Sequence, residues 1–159
     1  MTGLGELEGR PVHDLEHLGG DVPVTGSVDA FRGLAEDGRG LPAIAEFFDA
    51  LIGIRCTGEH ARWGCMISNA QAGAENGDPD VRAFLDQHHK ELRAALHAVL
   101  VVAGTEGQLA PGTDPATAAD LLTLLAYGVN LRSRAGADAG SLRATVTAAL
   151  RSLGCRTPQ

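Results

Sequence analysis

Residues 78–104 read DPDVRAFLDQHHKELRAALHAVLVVAG, and this stretch decides the fold. Asp78 before Pro79 is the order of a helix N-cap and a first-turn proline. Val81, Phe84, Leu85, His88, Leu92, Ala95, Leu96, Val99, Val102 and Ala103 then recur at three-four spacing until Gly104 and Gly107. That periodicity predicts one helix of about seven turns with a single apolar face. Its most apolar part, Ala94 to Ala103, contains His97 and is too short to cross a bilayer, so the face is to be covered by other helices.

Those partners are legible on both sides. Upstream, Pro42 suits a first turn and Ile44, Phe47, Phe48, Leu51 and Ile52 give an amphipathic helix from Leu41 to about Ile54. Cys56 to Arg62 reads as a connector. Trp63, Cys65, Met66, Ile67 and Ala70 then suggest a short, largely buried helix ending near Gly73, with a turn at Asn76-Gly77. Downstream, Thr113 or Asp114 caps a helix that has Pro115 in its first turn and runs to about Arg134. A last helix spans Ser141 to Leu153, with Leu142, Val146, Ala149, Leu150 and Leu153 in one stripe and Gly154 as its stop. No alternating strand pattern and no internal repeat competes, so the expected fold class is all-α, a helical bundle.

The N-terminal part has another texture. Residues 1–40 are rich in glycine and broken by Pro11 and Pro23, and they read as an acidic leader before a domain at 41–154. The best local helix in the leader is Val28 to Asp37, where Ser27 can cap and Phe31 and Leu34 share a face. The leader carries eight acids against Arg10, Arg32 and Arg39, the wrong sign for holding phosphates.

Over its 159 residues the chain has a formal net charge of −7, which disfavours nonspecific contact with nucleic acid or anionic membranes. No basic segment followed by an apolar core marks a signal peptide, and a cytoplasmic protein is expected. Cys56, Cys65 and Cys155 are an odd set that reads as reduced thiols.

Three segments carry a family resemblance. Gly64-Cys65-Met66-Ile67-Ser68-Asn69-Ala70, Asp78-Pro79-Asp80-Val81 and the run from Asp114 to Asp138 stand in the order and spacing of the sixth, seventh and eighth helices of TetR-family transcriptional repressors. Together with Leu41 to Ile54, residues 41 to 153 resemble the regulatory half of such a protein. The family's helix-turn-helix head has no counterpart in Met1 to Gly40, so DNA enters the expectation only through a head encoded upstream.

The resemblance implies a homodimer in which the two C-terminal helices pair with their symmetry mates. The expected interface is Leu121, Leu124, Leu125, Gly128 and Leu131 with Leu142, Val146, Leu150 and Leu153. Composition points the same way, because the helix after Asp114 is apolar nearly all round and needs cover on more than one side. The resemblance also implies a cavity for a small apolar or amphipathic effector. Phe47, Phe48, Leu51, Trp63, Met66, Asn69, Phe84, His88, Leu92 and Tyr127 are the expected lining, with apolar walls around a few polar groups.

The remaining chemistry is thin. His88 and His89 are adjacent and point about 100° apart on a helix, which opposes a shared metal, and His88 lies in register with Phe84, Leu85 and Leu92. His89 and His97 are expected at or near the surface. Cys56, His60 and Cys65 lack a second ligand pair at zinc spacing. No phosphate loop, nucleophile elbow or HExxH motif occurs, so neither catalytic residues nor metal nor cofactor are expected. The function read from the chain is the effector-binding, dimerising domain of a TetR-like repressor. Its alternatives are an interaction module that titrates a full-length relative, and a small helical enzyme using His88.

Overall fold

In the computed structural model, which describes residues 24–58 and 77–154, five helices account for most of the described chain. They are α1 (Val24–Glu36), α2 (Leu41–Cys56), α3 (Pro79–Thr105), α4 (Pro115–Arg134) and α5 (Ala139–Leu153). The longest, α3, has α4 along one flank and α1 along another, while α2 packs on α5 and α4.

Capping explains the boundaries. Asp78 accepts from the Asp80 amide and Asp114 from the Thr117 amide, each followed by a proline whose missing N–H removes an unpaired donor. Asp138 accepts from the Ser141 amide, so α5 begins at Ala139 rather than Ser141: the carboxylate takes the capping role and the serine falls inside the first turn. At the other end of α2, Thr57 donates its hydroxyl to the Gly53 carbonyl, which carries the helix to Cys56, two residues past Ile54. The first helix starts at Val24, four residues before Val28, and Phe31 and Leu34 are buried in the same core as α2 and α3. Tertiary packing of these two side chains overrides the low helix propensity of Gly26 and Gly33, and the packed body reaches upstream of Leu41.

The core follows from the spacings. Ile44, Phe48 and Ile52 of α2 interlock with Leu96, Val99 and Leu100 of α3 and with Ala119 and Leu122 of α4, all fully enclosed. Leu142, Val146 and Leu153 of α5 are buried in this core too, and Leu150 packs against it. Most of the α5 stripe therefore faces the core of its own protomer, with Leu150 half-buried. It is the hydrophobic side of an ordinary amphipathic helix.

One side chain locks the connections. The Gln108 amide accepts from the Leu41 N–H at 2.7 Å and donates to the Arg39 carbonyl at 2.9 Å. Gly40 makes this possible, since its φ of 76° is disfavoured for other residues and a Cβ there would collide with the Gln108 amide. Beside it, the Ala110 amide donates to the Leu153 carbonyl at 2.8 Å and joins the loop after α3 to the end of α5.

Candidate functional site

Two features stand apart from the packed interior: an aromatic and histidine cluster where α1 meets α3, and an exposed apolar face on α4.

In the first, His88 of α3 is buried, with 7 % of its surface exposed, and its Nδ1 has no hydrogen-bond partner among the described residues. Phe31 of α1 stands edge-on to the imidazole with ring centroids 5.0 Å apart. Phe47 of α2 packs edge-on to Phe31 at 6.5 Å and to Phe48 at 5.4 Å. Burial holds the His88 pKa below the usual histidine value, against a partial counter-effect of the Glu91 charge, so the ring is neutral at pH 7. One turn further along α3, Glu91, Ala94 and Ala95 form one wall of an open groove of about 310 Å³. Val28, Phe31, Arg32 and Ala35 of α1 form the other. Phe31 thus belongs both to the groove and to the cover of His88.

The 100° offset between neighbouring helical residues separates the two histidines. His89 stacks on Tyr127 of α4, with 3.2 Å between Nδ1 and the phenolic oxygen, so it is half-buried on the seam between α3 and α4. On the same seam the Arg93 guanidinium pairs with the Asp120 carboxylate.

The structure scatters part of the expected lining. Phe48 and Leu92 are enclosed within the solid core, while Phe47, Leu51, Phe84 and Tyr127 are half-buried. His88 and Phe47 both lie next to Phe31. Trp63, Met66 and Asn69, with the short helix expected at 64–73, lie outside the described residues. Phe31 is the residue sequence reasoning missed as a site element. Its signal was present in the shared face of Phe31 and Leu34, but the surrounding glycines marked the segment as a leader.

In the second feature, Leu121, Leu124, Gly128 and Leu131 recur at three, four and three residues along α4. Leu124 is 67 % exposed, Leu131 60 % and Leu121 45 %. Leu125 is half-buried and packs against the core. The opposite side of α4 buries Ala118, Ala119, Leu122, Ala126 and Val129, so this helix is apolar on both faces and, among the described residues, only one is covered.

The sequence pattern described as tetracyclin repressor-like, C-terminal domain matches residues 40–149, which takes in α2 to α4 and most of α5. The chain belongs to this family. No curated protein and no solved structure matches it. Domains of this family are regulatory, and the all-helical architecture of the described residues is that of the family. Among the described residues of this domain no helix is long and apolar enough to cross a membrane.

Proposed function

We propose that the chain is the dimerising, effector-responsive part of a TetR-like transcriptional repressor. The observation that carries this reading is the exposed leucine face of α4. Scattered surface leucines are ordinary, but Leu121, Leu124 and Leu131 form one continuous stripe around Gly128, and contiguous apolar surface of this kind marks an interaction site. Covering a leucine stabilises an association by up to roughly 2 kcal/mol. A second copy of the chain offers the same stripe in return, as a two-fold interface requires. Leu142, Val146 and Leu153 support that interface by fixing α5 against α2.

The second half of the reading is a small apolar or amphipathic effector bound among α1, α2 and α3. The buried His88 with its unpaired Nδ1 and the neighbouring aromatic rings support it. Where a DNA-reading head is joined to the domain, α1 is the element through which its position would respond, because α1 contributes one wall of the groove.

Light scattering after gel filtration tests the dimer. Twice the chain mass at micromolar concentration is the expected result, and Leu124→Glu is expected to give the chain mass alone. A wild-type monomer under those conditions would remove the reading.

A further inference from the structure

We propose that the groove between α1 and α3 is the mouth of a site for an uncharged, flat hydroxyl compound of the phenol or naphthol kind. Its hydroxyl pairs with His88 Nδ1 once Phe31 turns aside. This rests on the effector-binding reading above and assigns that effector a chemistry.

A buried ring nitrogen without a partner is rare, because folding strips it of water and returns nothing unless another group supplies the bond. Phe31 packs against this imidazole with ring centroids 5.0 Å apart, and Phe31 is also a wall of the adjoining groove. One rotatable side chain is therefore shared by the groove wall and the packing around His88, and turning it aside is the step by which the groove would reach the imidazole. The walls select the rest of the ligand. Phe31, Ala94 and Ala95 present apolar surface, and about 310 Å³ is at the small end of ligand sites, which suits one or two fused rings.

The polar neighbours select the head. Burial keeps the imidazole uncharged, so one ring nitrogen donates and the other accepts. A hydroxyl can do either and so meets Nδ1 in both tautomers. A carboxylate can only accept and so suits one tautomer alone, a cation can only donate, and a head of either charge would give up its water beside the apolar surface of Phe31, Ala94 and Ala95.

The test compares 2-naphthol with 2-methylnaphthalene, which differ only in hydroxyl for methyl, on the full chain. Titrations followed by nuclear magnetic resonance of the histidine ring nitrogens should move the His88 signal with 2-naphthol and leave it in place with 2-methylnaphthalene. The ratio of the two affinities should fall about tenfold in His88→Phe and recover in part in His88→Gln, which keeps a polar group. If the variants do not fold, the wild-type ring-nitrogen titration decides alone. Binding of both probes with an unmoved His88 signal would overturn the hydroxyl anchor and leave the effector-binding reading standing. Binding of neither probe by an intact dimer would overturn both.

Discussion

Arg55, in the last turn of α2, donates from Nε to Oδ1 of Asn130 at 2.9 Å, and Asn130 is buried in α4. The Asn130 amide nitrogen in turn donates to the Ala126 carbonyl at 3.0 Å. A single carboxamide thus holds the end of α2 against the C-terminal part of α4, next to Leu131 of the exposed leucine face. Asn130→Leu would keep the branched shape of the side chain but take one acceptor from a partly buried guanidinium. Hydrogen bonds to charged groups contribute about 1.5–3 kcal/mol, and a loss in that range is expected. Urea unfolding should show a lower midpoint at unchanged slope.

Gly40 and Gln108 form a second coupled pair. Gly40→Ala introduces both a side chain at positive φ and a collision with the Gln108 amide. Together these should destabilise the fold by about 1–3 kcal/mol. In a Gln108→Ala background the collision is gone and the backbone strain remains, so the cost of Gly40→Ala should fall without vanishing. Additive losses in the double variant would show that the two residues are not coupled.

His88 makes stability depend on pH. Its folded pKa lies below the unfolded value of about 6.5, so the unfolded chain binds the proton more readily. The neutral ring is fully accommodated above that value. Stability should decline as pH falls from about 6.5 toward the lower folded pKa, where protonation in the folded state ends the decline. Melting temperatures from pH 7.5 down to 5 should therefore fall more steeply in the wild type than in His88→Phe. Parallel curves would show that His88 is not responsible.

The helices were legible because a first-turn proline follows each of Asp78, Asp114 and Leu41 and long three-four stripes run on from there, which leaves few alternatives. Boundaries moved by two to four residues where packing or a competing cap decided, as at Val24 and Ala139. The site was less legible for a different reason. A stripe such as Leu142, Val146 and Leu153 reveals that one face must be covered, but not whether its cover is another helix of the same chain or of a second copy. Phe31 shows the converse: one aromatic side chain in a glycine-rich segment gains its meaning only from the long-range contact with His88.

Gly128 gives the most direct probe of the unpaired α4 face. It lies between Leu124 and Leu131, and a Cβ added there meets nothing within 4 Å in its own protomer. Glycine in mid-helix costs about 1 kcal/mol relative to alanine, so in an isolated protomer both Gly128→Ala and Gly128→Leu should stabilise α4. A helix from a second copy crossing at this position changes the outcome for the larger residue. The leucine would then overpack the crossing by about 1–3 kcal/mol, which raises the dimer dissociation constant roughly five- to hundredfold. Light scattering across a dilution series should show that weakening for Gly128→Leu, while circular dichroism shows helix content retained. If Gly128→Leu raises the melting temperature and leaves the dissociation constant unchanged, the two copies do not meet at Gly128.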